Sequence, residues 1–191
     1  VTFGADNGMT LANLKGVDDI TDVRWSTLMD QITLEECLIR TGLGGTSTKT
    51  IESITSPEAI QNDGPNGFNS YPLGQYANSD DSTGDPCVIA EDDPNRDYKM
   101  GVMAVETVIG QTFSKQLAEE WGKVIGNYSL WANTAIWWGV GTNLHRTPYN
   151  ARNHEYFSED AVLTAGQGAA IIEAGHEYGV LIAPKHLAFN D

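Results

Sequence analysis

Cysteine is scarce: Cys37 and Cys87 are the only two among 191 residues. Two cysteines make no disulfide framework, and neither stands at metal-ligand spacing, so both read as free thiols, which leans towards a reducing, cytoplasmic setting. Positive charge is also short. Eleven Lys and Arg face 26 Asp and Glu, a formal net charge of -15. Nucleic acid is therefore a poor partner, because its phosphates would be repelled, and so is an anionic membrane surface. A neutral ligand suits such a chain. Apolar runs of the ~18 residues that a membrane span needs are missing. At Val1 there is no basic stretch followed by an apolar one, so no secretion leader is expected in the sequence as given. His145, His154, His176 and His186 share no ligand spacing, which argues against a metal site. The Gly42–Gly45 region lacks the Lys-Ser/Thr that a phosphate-cradling loop requires. No internal repeat or low-complexity segment is present. What remains is an ordinary globular composition, 40% hydrophobic and 19% charged.

Residues 1–24 have little periodicity and read as an N-terminal strap ahead of a globular stretch over residues 25–191. Trp25 to Ile32 suggests a short helix. Thr33-Leu34-Glu35-Glu36 fits a capping box, in which Thr33 accepts from the Glu36 amide and Glu36 reaches back. That helix should run to about Arg40 and stop in the Gly42, Gly44, Gly45 cluster. From 64 to about 100 the chain is rich in Gly, Pro, Asn, Asp and Ser and reads as a long loop. A helix from about Ser114 presents Leu117, Trp121, Val124 and Tyr128 at helical spacing. Ser158 is expected to cap a further helix, with Glu159 and Asp160 in its first turn and Gly179 at its stop. Four apolar stretches read as strands: near Ala59–Asn62, then 101–105, 136–141 and 180–183. Continuously apolar strands between amphipathic helices predict parallel β/α units buried on both faces. An eight-fold barrel takes ~250 residues, so the expectation is half a barrel, or a small open α/β domain.

Ligands in such folds sit at the C-terminal ends of the strands. Asp63, Arg152, Lys185 and His186 all fall at such ends. One carboxylate, a guanidinium, an ammonium and an imidazole on one rim can hydrogen-bond a ring of hydroxyls. Each also has a plain structural reading. Asp63 before Gly-Pro makes an Asx-type turn, and Arg152 pairs with Glu155 or Glu159 at helix-start spacing. Lys185 is then a solvated charge and His186 a satisfied core histidine.

Three motifs in order complete the sequence reading: Asp63-Gly64-Pro65-Asn66-Gly67; the stretch from Asn143-Leu144-His145-Arg146 through Arg152-Asn153-His154-Glu155 to Ser158-Glu159-Asp160; and Lys185-His186-Leu187-Ala188-Phe189-Asn190. With them the chain resembles the N-terminal barrel of family 3 glycoside hydrolases, the family of many β-glucosidases and β-xylosidases. The likeness covers residues 25–191 and is strongest from 130 onward. It departs at Ala151, where the family has Gly, and at Ala161, where it has Pro. The resemblance implies that Asp63, Arg152, Lys185 and His186 bind hydroxyls of the non-reducing-end sugar, without a cofactor. It also implies a parent enzyme that cleaves β-glycosidic bonds with retention. The nucleophilic Asp and the acid/base Glu are expected downstream of Asp191, so no catalytic residue is assigned to this chain. The expected partners are a small oligosaccharide or glycoside, and the other half of the barrel or a second copy of the chain. The alternative is a non-catalytic sugar-binding or structural half-barrel.

Overall fold

The structure is a computed structural model and describes residues 1–44, 47–68, 103–132, 134–187 and 189–190. The chain divides into two compact units, Val1–Ala59 and Ile60–Asp191.

The first unit holds helices α1 (Val23–Met29) and α2 (Leu34–Leu43) and a two-residue strand, β1 (Ser47–Thr48). The expected capping box opens α2: the Glu36 amide donates to Thr33 Oγ1 at 3.1 Å, and the Thr33 amide to Glu36 Oε2 at 2.8 Å. Ser53 adds an amide and a hydroxyl to the same carboxylate. Burial opposes the charge on Glu36, but these three donors, with the Thr33 hydroxyl as a fourth, outweigh it and hold the carboxyl down to about 2. A small core of Leu14, Leu28, Ile32, Ile51 and Ile54 lies beneath, with Cys37, a free thiol, packed on it. Cys87 lies outside the described residues, as does the expected loop beyond residue 68.

The second unit carries β2 (Ala59–Asp63), α3 (Glu106–Gln111), α4 (Lys115–Trp131), β3 (Thr134–Trp138), α5 (Ala161–His176) and β4 (Leu181–Ile182). β2 pairs with β3 and β3 with β4, both in parallel. This is an α/β unit with a parallel sheet of three strands. A fourth strand at 101–105 is not seen: Met103–Val105 carry no ladder, and Gly101 and Val102 lie outside the described residues. The Met103 amide donates instead to Asn66 O at 2.9 Å, and Ala104 O accepts from Trp121 Nε1 at 2.9 Å. These bonds satisfy the backbone of an apolar segment without a neighbouring strand. The segment leads into α3, a helix too short for its periodicity to stand out in the sequence. At α5 the cap is Asp160, whose Oδ1 accepts from the Leu163 amide at 2.7 Å, and not Ser158. Ser158 Oγ accepts from the Asp160 amide and shapes the turn before the helix.

Alternation along the strands sorts the two faces. Ile60, Asn62, Trp137 and Ile182 are buried, within a core that also takes Trp121, Ile125, Phe157 and Ile171. Gln61, Asp63, Ile136, Trp138 and Leu181 point the other way and are partly or largely exposed. Trp138 Nε1 donates to Gln61 Oε1 across that open face at 2.9 Å.

Helices α4 and α5 pack backbone to backbone. A Cβ added at Gly122 would stand 2.4 Å from Ile171 O, whereas one at Gly166, on the exposed side of α5, would meet nothing within 4 Å. Gly122→Ala should therefore lower stability by about 1–3 kcal/mol through overpacking. Gly166→Ala should raise it by about 0.5–1 kcal/mol, because alanine is the better helix former. Urea unfolding of the two variants checks both signs, and equal effects would remove the close-contact account.

Candidate functional site

β2 ends at Asp63, and the chain turns at Gly64 with φ of +138°, a conformation suited to glycine. The Gly64 amide donates to Asp63 Oδ1 at 2.7 Å, so the Asx-type turn is present. The buried Trp137 of β3 donates from Nε1 to Gly64 O at 3.2 Å and ties this turn to the middle strand. Beyond β4 the ladder continues: the Lys185 amide donates to Val140 O at 3.0 Å and the Thr142 amide to Lys185 O at 2.7 Å. Lys185 thus stands at the same end of the sheet as Asp63. Its ammonium donates to Asp63 Oδ1 at 2.6 Å and lies 3.3 Å from Glu155 Oε2.

Glu155 closes a single 3-10 turn, Asn153–Glu155, and is buried. Two side chains clamp this turn by its carbonyls. Thr107 Oγ1 donates to Asn153 O at 2.9 Å and Tyr156 O at 2.8 Å. His145 Nε2 reaches the same two oxygens at 2.8 and 2.9 Å. Carbonyls only accept, so that nitrogen carries the proton, and His145 is a structural donor.

The second oxygen of Glu155 accepts from Arg152 Nε. The Arg152 Nη2 then donates to His186 Nε2 at 2.7 Å. A guanidinium has no lone pair to offer, so His186 is neutral there, with its proton on Nδ1, 3.0 Å from the Tyr156 hydroxyl. Burial first, then the charges of Arg152 and Lys185, hold His186 below the ordinary histidine range. For Glu155 burial pulls upward, but the Arg152 bond and the Lys185 charge win and hold it below the usual carboxylate range. Burial, with the Glu155 charge next to it, raises the Tyr156 phenol. Asn190 Nδ2 donates to Tyr156 Oη at 2.6 Å, and Asn143 Oδ1 accepts from the His186 amide at 2.6 Å.

All four residues picked from the sequence, Asp63, Arg152, Lys185 and His186, therefore join one hydrogen-bonded chain at one rim. The ion pair foreseen between Arg152 and Glu155 is present as well, so the structural reading of Arg152 holds. Missed was the centrality of Glu155, which accepts from both cations; helix-start spacing from Arg152 had suggested only a structural ion pair, with Glu155 or Glu159. Tyr156, Asn143 and Asn190 were not singled out, although all three stand inside the quoted motifs. Beside His186 lies an open cleft of about 500 Å³, bounded by Thr142, Asn143, Arg146, Phe189 and Asn190. The Arg146 guanidinium is 5.0 Å from the Phe189 ring centre. Among the described residues there is no His, Cys, Asp and Glu group able to hold a metal, and no helix is long and apolar enough to cross a membrane.

Of the four residues only His186 lines that cleft, while Asp63, Lys185 and Arg152 are held in the polar chain beside it. No family model matches the chain. A β-glucosidase of Ruminococcus albus is 40% identical over 85 residues, 44% of this chain and 9% of that protein. Thermostable β-glucosidase B of Acetivibrio thermocellus is 28% identical over 169 residues, 86% of this chain and 20% of that one. The matched stretch thus spans only 9% and 20% of the length of these two curated relatives. The structure of β-glucosidase 3B from Thermotoga neapolitana in complex with α-D-glucose has a TM-score of 0.68 at 25% identity, over 87% of this chain and 23% of that one. The resemblance to the N-terminal part of family 3 glycoside hydrolases, read from three motifs, is borne out by these β-glucosidases.

Glu155→Gln should destabilise the unit by about 3 kcal/mol, because it leaves Lys185 and Arg152 without their shared buried anion. The folded Glu155 titrates below its unfolded value, so its contribution is present above the ordinary carboxylate range and fades as pH falls through the folded value. Denaturant unfolding of both proteins between pH ~7 and ~3 should show the gap closing towards acid. A gap independent of pH would contradict this account.

Proposed function

We propose that this chain supplies the sugar-binding subsite of a β-glycoside hydrolase, with residues 25–191 forming the first half of its (β/α) barrel. The observation that carries the reading is the unbroken chain Asp63–Lys185–Glu155–Arg152–His186, with links of 3.3 Å or less, at the C-terminal end of the parallel sheet. Such a chain offers a carboxylate acceptor and two fixed cationic donors to neighbouring ring hydroxyls. Glu155, buried and saturated, holds the donors and does not itself meet sugar. In the whole enzyme a carboxylate attacks the anomeric carbon while an acid protonates the leaving oxygen, and water then releases the glycosyl-enzyme. The groups here hold the ring, so that binding energy from remote hydroxyls lowers the barrier at the reacting carbon. Neither the attacking carboxylate nor the acid is assigned to Asp63 or Glu155, both of which are engaged by Lys185. A second reading, in which the chain binds sugar without cleaving it, fits the same observation for the 191-residue chain alone.

Saturation-transfer NMR with D-glucose and D-xylose tests the subsite directly. Binding should be detectable and should weaken at least about tenfold in Asp63→Ala and Lys185→Ala, the loss of one charged hydrogen bond. The same chain should release no nitrophenol from an aryl β-glucoside. Absence of sugar binding would sink the subsite, and inhibitor-sensitive turnover would place catalysis within the chain.

The open face of Ile136, Trp138 and Leu181 bears on the half-barrel reading, since Trp138 is 37% and Leu181 55% exposed. Apolar surface of that kind, next to a strand edge that no described residue pairs, favours association. Light scattering should find dimers or larger species at high concentration. A well-behaved monomer would argue that the chain covers this face itself.

A further inference from the structure

Helix α3 buries one ionisable side chain that sugar binding does not use. Glu106 is only 1% exposed. Its Oε1 accepts a long bond, 3.5 Å, from the Gly141 amide, and its Oε2 is buried with no partner among the described residues. The groups that face it come from every element packed around α3. The segment after β3 presents the Gly141 amide; Gly141 bridges to Lys185 at the end of β4, and the Glu155 carbonyl of the 3-10 turn lies against Gly141, so both charges act on this carboxyl. From α5 comes the uncharged Gln167, whose Nε2 donates to Ile109 O at 3.1 Å.

Glu155 already takes both cations here, Arg152 on one oxygen and Lys185 on the other. A second carboxylate beside it would be opposed by burial and by Glu155 itself. Its own amide and that of Gly141 would favour it, and so would Lys185, whose ammonium is committed to Asp63 and Glu155. An ionised Glu106 would thus become a third claimant on the same ammonium and draw it away from Asp63. A neutral acid makes no such claim, and it can accept from Gly141 on one oxygen while keeping a hydroxyl on the other.

We propose that Glu106 is a positioning residue, held as a neutral carboxylic acid behind the Glu155–Lys185 pair, and that its neutrality leaves the Lys185 ammonium to Asp63 and Glu155. Burial is the largest cause of that neutrality; two backbone amides and Lys185 pull the other way, Glu155 adds to it, and the carboxyl is pushed up to about 8. The part this plays in a subsite rests on the sugar-binding reading, but the coupling of Glu106 to Lys185 does not.

The test is a pH titration of the 191-residue chain without sugar, followed by NMR of ¹³C-labelled glutamate carboxyls and lysine ε-carbons. The Lys185 signal is identified by its loss in Lys185→Arg. One carboxyl should titrate near 8, and the Lys185 ε-carbon should shift in the same step. Glu106→Gln should lack both the carboxyl step and the lysine shift while keeping the neutral-pH lysine position. Titration of Glu106 together with the surface glutamates would overturn the proposal. So would a Lys185 signal that stays still through the Glu106 step. Should Glu106→Gln fail to fold, the wild-type titration decides by those two signals alone. No sugar is present, so failure of the subsite reading and failure of this one are told apart.

Discussion

One buried carboxylate with two cations on it governs this end of the sheet. Glu155 is too deeply placed to be satisfied by water, so its oxygens need strong donors, and Arg152 and Lys185 provide them. Each cation then has a direction. Lys185 reaches from the end of β4, over the middle strand, to Asp63 on β2. Arg152 turns its remaining nitrogens outward and fixes the protonation state of His186. The imidazole in turn orders Tyr156, and Tyr156 is linked to Asn190. Take the anion away and two positive groups are left facing each other across a partly dry space. The positions of Asp63 and His186 are thus consequences of where a short turn puts Glu155. Thr107 and His145 fix that turn by its carbonyl oxygens.

What the sequence made legible was the local chemistry. Thr33 and Glu36 announced α2, and Ser114 announced α4, because a cap acts within three residues of itself. Ser158 and Asp160 are both good caps, and periodicity could not choose between them; the helix begins after the second. The apolar run at 101–105 looked like a strand because strand and non-strand apolar segments have the same composition. Its described part is instead satisfied by a turn at Asn66 and an indole from α4. The four site residues were legible because each sits in a motif at a strand end. The role of Glu155 was not, since one of its two cations, Lys185, stands thirty residues further on. Glu106 gave no signal at all: a helix of six residues has too few turns to show a face, and only the folded unit reveals that a carboxyl is enclosed there.

The links of the polar chain differ greatly in the span of polypeptide they close. Arg152 meets His186 across 34 residues, whereas Lys185 meets Asp63 across 122. Loop-closure entropy grows as the logarithm of that span, so the second link costs about 1 kcal/mol more than the first. The segment from β3 through α5 to β4 can draw Arg152, Glu155, Lys185 and His186 together from nearby chain. Asp63 must arrive from far away and docks against a cluster that already exists. The cluster is therefore a hinge of assembly: its cationic half is a local product of one β/α unit, and the single carboxylate from β2 is the latch that closes the sheet.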